Sequence, residues 1–435
     1  MSGRLHSRRF VSPLSHCLAA VLGTAAIATG CGAPLESESA DVPTGSTNSG
    51  LTTSYIDLVA GDSHTCALAA NGQAYCWGTG ANGELGAGKT TVSNSGIPVS
   101  GRERFKSLTA GLHHVCGVSD SGTFCWGKND AGQLGTGDYA DRNAPSTVTG
   151  GHSFTGLRAG AAITCALDGS EPWCWGDRAG SSPDPVPAKE KESSPDPVPA
   201  RERMSSPDPV PARTSSPDPV PARGFGSLRV GRSHVCGLGV DGGLFCFGDN
   251  ERGQIAWGLS SPDPVPAFIG VWGPDSNGVM PDIRTFALGA AHSCATAVEN
   301  GKSVTKCWGD GKRGQLGNGS YPVDPSGRVT VSGNVAYVSL VTGENHTCGL
   351  ASNGDVWCWG SNEYGQLGDG TSVDRSANPV RTKGPAFQAL AAGRAHTCGI
   401  ATDGQVYCWG RNNELQLGIG SGQAANVPTK VSIKN

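Results

Sequence analysis

Seven pairs of cysteines recur along this chain with a period of about 50 residues, and each pair is embedded in a copy of one motif. The fullest copy, 392–410, reads Ala-Gly-Arg-Ala-His-Thr-Cys-Gly-Ile-Ala-Thr-Asp-Gly-Gln-Val-Tyr-Cys-Trp-Gly. The pairs are Cys66–Cys76, Cys116–Cys125, Cys165–Cys174, Cys236–Cys246, Cys294–Cys307, Cys348–Cys358 and Cys398–Cys408. Such self-similarity marks a repeat architecture, in which each unit hides its apolar face only against its neighbours. A ring of such units is one domain even at 435 residues, a length that otherwise suggests two or three.

Within each copy, alternating runs such as Val406-Tyr407-Cys408-Trp409 flank Asn71-Gly72, Asp120-Ser121-Gly122, Asp241-Gly242, Asn353-Gly354 or Asp403-Gly404. Alternation on both sides of Asn-Gly or Asp-Gly predicts a β-hairpin. The turn also fixes where the cysteines fall. Asn71 is the midpoint of Cys66 and Cys76, Asn353 of Cys348 and Cys358, and Asp403 of Cys398 and Cys408. Residues opposed in this way have Cα atoms about 4.5–5.5 Å apart, a separation that a disulfide spans. Each pair is therefore read as a disulfide across its own hairpin, closing about ten residues and stabilising by about 2.5 kcal/mol on the chain-entropy account. Seven zinc sites are the competing reading, but cysteines 9 to 13 residues apart lack the CxxC spacing of structural zinc knuckles. Sixteen cysteines make seven pairs plus Cys17 and Cys31, a set that points to an oxidising compartment.

Two further runs complete a four-stranded unit. One precedes the first cysteine, as in Ile56–Gly61, Leu108–Gly111, Leu228–Gly231 and Leu390–Gly393. The other carries a proline, as in Ile97-Pro98-Val99, Ala144–Val148, Asn378-Pro379-Val380 and Val427–Val431, and proline suits a strand's start or the sheet edge. Four short strands, seven times over, predict an all-β fold: a single seven-bladed β-propeller of four-stranded antiparallel blades, one disulfide per blade, spanning residues 55–435. Gly at 66 residues and charged residues at only 16% suit many tight turns and few helices. The first strand has no proline run upstream and the Val427–Ile433 run has no partner downstream. The two are expected to share a blade and close the ring, leaving only short protected edges.

Residues 181–223 hold Ser-Ser-Pro-Asp-Pro-Val-Pro-Ala four times, and a fifth copy occupies 260–267. From Pro217 to Gly231 is 14 residues, as from Pro379 to Gly393, so the fourth copy is read as the third blade's proline strand. Residues 181–212 then form a Pro-rich, low-complexity loop insertion of extended character. Neutral tandem expansion in a tolerant surface loop is favoured over a recognition arm.

At the N-terminus, Arg4, Arg8 and Arg9 precede the apolar run Cys17–Ala28, which is too short to span a bilayer and reads as a secretory signal. It ends in Ile27-Ala28-Thr29-Gly30-Cys31, which resembles a bacterial lipobox with Ala28 where leucine is usual. Residues 1–30 are accordingly expected to be a lipoprotein signal peptide, with lipid on Cys31 and a disordered tether over 31–54. As a flexible coil that tether reaches roughly 25 Å. Several acyl chains anchor stably where one does not. The net charge is −4, and cleavage before Cys31 removes three arginines and no acid, leaving −7. Nucleic-acid binders show a basic footprint, and this chain has none in bulk.

The segments Gly-x-x-His-x-Cys, Cys-Trp-Gly and Gly-Gln-Leu-Gly resemble the signature of the regulator of chromosome condensation repeat family. They are carried by His64, His114, His234, His292, His346 and His396, by Trp77, Trp126, Trp175, Trp308, Trp359 and Trp409, and by 132–135, 314–317 and 365–368. The resemblance covers 55–435 and implies the same propeller. The third repeat departs from it with Ile163 for the histidine and no Gly-Gln-Leu-Gly. The fourth has Phe247 for the tryptophan and Gln254-Ile255-Ala256 in the later motif.

Six imidazoles related by rotation spread around a ring instead of converging on one metal ion. Each is expected to bond backbone groups at the Gly-x-x-His corner of its own blade, while the tryptophans pack between blades. No Gly-rich phosphate loop, GxSxG elbow or HExxH helix is present. The expected function is a non-enzymatic binding scaffold without cofactor or metal: a monomeric propeller, exported and lipid-anchored in a bacterial cell envelope, at the outer membrane, offering loops to a protein or glycan. Glu299, Glu344 and Asn345 break the repeat and are candidate surface markers. One alternative is guanine-nucleotide exchange on a small GTPase, which the family resemblance implies and export opposes. Another is inhibition of a secreted enzyme, resembling the propeller-type β-lactamase inhibitory protein and calling for an exposed Trp173, Trp257 or Trp272. The last is a lyase or hydrolase with Glu, His and Arg groups converging at the channel mouth.

Overall fold

At the hairpin tips Gly72, Gly242, Gly354 and Gly404 take φ of 82°, 85°, 86° and 79°, the left-handed backbone that these turns need and side chains resist. Each turn joins the second and third strands of a sheet and brings its two cysteines into direct opposition, Cys66 against Cys76 and Cys398 against Cys408 among them. All seven disulfides form as the spacing predicts, with Cα atoms 4.0–4.1 Å apart, as expected for non-hydrogen-bonded pairs.

The computed structural model describes residues 53–177, 186–187, 224–255, 265–272, 280–322, 327–371 and 373–433. They form seven four-stranded antiparallel sheets, each built from four consecutive strands. Blade 1 comprises Tyr55–Ala60, His64–Ala69, Ala74–Gly80 and Thr91–Pro98. Blades 2 to 7 follow at 105–147, 154–187, 225–272, 282–330, 337–381 and 387–430. The first strand of every blade lies beside the first strand of the next, and Tyr55–Ala60 lies beside Phe387–Ala392 of blade 7. These seven strands are the innermost, and they surround the central channel. The signal, Cys31 and the tether as far as residue 52 lie outside the described residues.

The apolar cores sit between blades. Cys66, Leu68, Cys76 and Leu85 of blade 1 pack against Phe105, Leu108, Val115 and Trp126 of blade 2. The same pattern joins the last blade to the first: Cys398, Ile400, Cys408 and Leu417 pack on Tyr55, Leu58 and Trp77. A tryptophan is the largest side chain in most of these junctions, and all six repeat tryptophans are fully buried.

Two expectations need correction. The N- and C-terminal strands do not share a blade: Tyr55–Ala60 pairs with His64–Ala69, and Ala425–Lys430 pairs with Val406–Gly410. The seven sheets have seven inner and seven outer strands, six of the outer ones carrying proline, so every blade is complete when the outer strand is counted with the hairpin before it. The ends meet in one parallel bridge, Gly96 to Ile433, where Gly96 N–H donates to Ser432 O. For the same reason the outer strand of blade 3 is Val186–Pro187, in the first copy of the Pro-rich unit and not the fourth. Copies two to four lie outside the described residues. Val265 of the fifth copy begins the outer strand of blade 4, Val265–Trp272.

Candidate functional site

The motif residues assemble into a polar relay that crosses each junction. His346 of blade 6 meets Thr397 of blade 7 (Nε2 to Oγ1, 3.0 Å), and that hydroxyl donates to Gln366 O of blade 6 at 2.9 Å. Trp409 Nε1 donates to the same carbonyl at 2.9 Å. A hydroxyl has one proton, so the threonine accepts from histidine, which fixes a neutral imidazole protonated on Nε2. The pattern recurs as His396–Thr65–Gln416, His114–Thr164–Gln133, His234–Ser293–Gln254 and His292–Thr347–Gln315. The expected backbone bonds within one blade are thus replaced by hydroxyl bonds to the next blade. The histidine corner has no room for anything else. A Cβ on Gly393 would lie 2.4 Å from Gly61 O and 2.1 Å from the His396 ring.

Burial pushes the pKa of His64, His114, His292 and His396 down from 6.5 to about 3, and that of His234 and His346 to about 4, outweighing Asp62 near His64 and Asp249 near His234. These imidazoles are structural and neutral, and all but His64 are committed to a junction. Two junctions break the pattern. Between blades 1 and 2, Val115 replaces the hydroxyl residue, and neither ring nitrogen of His64 has a partner. Glu84 replaces glutamine there, though its carbonyl still accepts from Trp126 Nε1 at 3.0 Å. Between blades 3 and 4, Ile163, Val235 and Phe247 leave no polar group to relay.

The Gly-x-x-His corners crowd round one end of the channel and bond in sequence. Asp62 N–H donates to Leu112 O, Leu112 N–H to Gly160 O, Arg232 N–H to Gly289 O, Glu344 N–H to Arg394 O, and Arg394 N–H to Gly61 O. On this backbone ring stands a charged network. Glu344 accepts from Arg394 Nε at 2.7 Å and from Arg232 Nη1 at 3.1 Å, which reaches past blade 5. Asp62 lies 3.5 Å from Arg394 and 3.7 Å from Arg411. Glu344, its hydrogen-bond partner, holds the Arg394 guanidinium above its ordinary value. Partly exposed pairs of this kind contribute about 0–1 kcal/mol each, so stability does not account for the cluster.

Of the residues singled out from sequence, Glu344 joins this network. Glu299 instead pairs with Lys306 on the longest hairpin, at 2.6 Å. Asn345 contributes its carbonyl to Ser361 N–H. Trp173 is half-buried against His152, with ring centroids 4.1 Å apart, and forms no exposed aromatic patch. Trp257 and the side chain of Trp272 lie outside the described residues. Asp62, Arg232, Arg394 and Arg411 went unnoticed in sequence. Their signal was charge at the first variable position of Gly-x-x-His for Asp62, Arg232 and Arg394, and directly after Cys-Trp-Gly for Arg411, positions that shared motif residues do not mark. The 415–418 turn, Leu-Gln-Leu-Gly, also went unnoticed, because leucine replaces its first glycine.

The molecule is therefore a seven-bladed propeller stitched by disulfides within blades and by histidine relays between them. Two sequence profiles of the Regulator of chromosome condensation (RCC1) repeat match it, one at 55–84, 227–254, 337–366 and 387–416, the other at 120–167, 353–400 and 403–435. The chain carries RCC1 repeats. It is 32% identical over 154 residues to a Protein RCC2 homolog of Danio rerio, a match covering 32% of this chain and 30% of that protein. The chain thus spans under a third of that relative's length. Among solved structures it is similar to Prp20p of Saccharomyces cerevisiae, a protein that binds Gsp1p and histones, with TM-score 0.63 and 21% identity over 88% of each chain. Human WBSCR16 is similar at TM-score 0.65 and 19% identity, covering 83% of this chain and 94% of that one. At such identities these structures speak to fold alone.

Proposed function

We propose that this protein is a non-enzymatic scaffold that binds a protein partner on the face carrying the Gly-x-x-His corners. The observation that carries this reading is the Asp62–Arg232–Glu344–Arg394–Arg411 network, a concentration of partly exposed charge that the fold does not require. In a four-stranded meander the loops between third and fourth strands lie at the same end as these corners. They bring Tyr139, Tyr321 and Tyr364, which are 51%, 44% and 38% exposed, to the rim of that face. Arginine and tyrosine are the residues in which interface energy concentrates. That Prp20p, a propeller of similar fold, binds proteins supports the reading by analogy only.

The signal-like residues 1–30 and Cys31 extend the proposal to export and lipid anchoring in a bacterial envelope. The tether would hold the propeller just clear of the membrane. Crosslinking in intact cells followed by mass spectrometry tests the scaffold. The wild type should capture a partner that an R232E/R394E variant with an unchanged melting temperature does not. Equal capture by both removes the mouth from the reading. Separately, C31S should move the protein from the detergent phase to the aqueous phase.

A further inference from the structure

Inside the channel, the wall changes character between blades 3 and 5. Arg158 and Arg229 occupy the same position on adjacent innermost strands, each opposite the first cysteine of its blade. The other five blades place Val59, Thr109, Ala287, Val341 and Ala391 there. Neither arginine has a carboxylate within 4.0 Å among the described residues. Each uses one Nη1 donor on the carbonyl of the residue before it, Leu157 O at 2.7 Å and Leu228 O at 2.9 Å. The Arg229 guanidinium carbon sits 5.4 Å from the Phe286 ring centroid, which fixes the fork in place. No further hydrogen bond is recorded for either guanidinium among the described residues.

The backbone beside them is also rich in donors. Alternation along the innermost strand turns every second amide away from its partner strand and toward the channel. In blades 1 and 2, side chains cap the amides of the following blade: Asp57 Oδ2 accepts Leu108 N–H at 3.0 Å, and Thr109 Oγ1 accepts Ala159 N–H at 3.0 Å. In blade 3 those two positions are Gly156 and Arg158, which carry no acceptor. Among the described residues, no side chain of blade 3 caps the corresponding amides, Leu228 and Val230, in this way. Arg229 likewise offers Leu288 no cap of the Thr109 kind. The nearest acidic group is Asp57, which is engaged with two backbone amides, those of Leu58 and Leu108. Its carboxyl is raised by burial, and Arg158 acts against that rise. Burial first, and the neighbouring Arg158 charge second, pull Arg229 down to about 10.

We infer that the channel wall formed by Arg158, Arg229 and the uncapped amides of Leu228 and Val230 is a binding site for a small oxyanion, a carboxylate or phosphate group. Two forked guanidiniums suit bidentate contact with either group. The anion relieves the repulsion between the two guanidiniums and offers acceptors to the neighbouring amides. The site stands apart from the charged mouth and does not depend on the partner proposed there.

Titrating the purified, oxidised full chain with sodium phosphate and, separately, sodium acetate tests this, with sodium chloride at matched ionic strength as control. One of the two anions should raise the melting temperature saturably beyond the chloride effect, and whichever acts identifies the group. R158Q/R229Q should weaken that binding at least tenfold, while R104Q, on an exposed turn, should leave it unchanged. If the double variant does not fold, arginine-selective dicarbonyl labelling of the unaltered protein replaces it. The anion should then protect Arg158 and Arg229 but not Arg104. No saturable effect from either anion, equal binding by R158Q/R229Q, or equal labelling with and without anion overturns the inference.

Discussion

The junction between blades 7 and 1 and the junction between blades 3 and 4 perform the same task with opposite chemistry. The first buries His396, Thr65, Trp77 and the Gln416 carbonyl as one hydrogen-bonded network. The second presents Ile163 and Val235 at the histidine and hydroxyl positions, packed with Leu167 and Phe225. Both hold a ring together, so the polar relay is not what makes blades adhere. Apolar area does that in every junction. The relay instead adds a cost for leaving: a single lost member strands buried polar groups, whereas joint replacement strands none. The coordinated loss at one junction is what that asymmetry predicts.

Acid should separate the two kinds of junction most strongly. Folding holds the relay histidines neutral with pKa values of about 3 to 4, while the unfolded chain takes up protons near 6.5. The folded values are depressed, so this stability is intact above about pH 6.5 and is lost as pH falls toward 3–4. Each histidine costs about 1.4 kcal/mol per pH unit within that window. Hydrogen exchange at pH 5 against pH 7 should show protection falling around Thr65, Ser293, Thr347 and Thr397, and not around Val235. Uniform loss at all junctions would mean that the histidines do not govern the acid response.

A smaller effect follows from breaking one relay. T397V strands His346 Nε2 and removes one of two donors to Gln366 O, a loss of about 1–3 kcal/mol in urea unfolding. H346I/T397V, which copies Ile163 and Val235, should regain most of that loss. A double variant as unstable as the sum of the single changes would refute the account. Conversely, V115T should supply the partner that His64 lacks and raise stability by about 1 kcal/mol.

The comparison also shows what a single sequence can carry. Hairpins, disulfides and blade number were legible, because Asn-Gly turns and the cysteines that straddle them are local. The blade to which Ile97-Pro98 or Val186-Pro187 belongs was not, since a strand's residues do not name its partner. The relay was half legible. Histidine and hydroxyl occur together in four repeats, at 64–65, 292–293, 346–347 and 396–397, and only ring geometry reveals that His346 meets Thr397 and not Thr347. The joint change at Ile163, Val235 and Phe247 was visible in the sequence, yet it read as drift until the three were seen across one interface. The channel arginines were hidden because their position, opposite a cysteine on the innermost strand, tolerates valine, threonine and alanine elsewhere in the ring.

The closing junction has one irregularity of its own. Leu415 takes φ of 62°, where Gly132, Gly314 and Gly365 take 80°, 85° and 82° at the same turn. A branched side chain there costs about 1–2 kcal/mol in backbone strain, partly offset because glycine loses more freedom on folding. L415G should therefore raise the unfolding free energy by about 0.5–1 kcal/mol, and L415N should gain less. The relay at Gln416 must survive the change, because its acceptor is the next residue's backbone carbonyl and both its donors come from blade 1. A gain in stability with the pH profile unaltered would show that strain in the turn and satisfaction of the relay are separable. A fall in stability would place the half-buried Leu415 side chain among the contacts that latch blade 7 to blade 1.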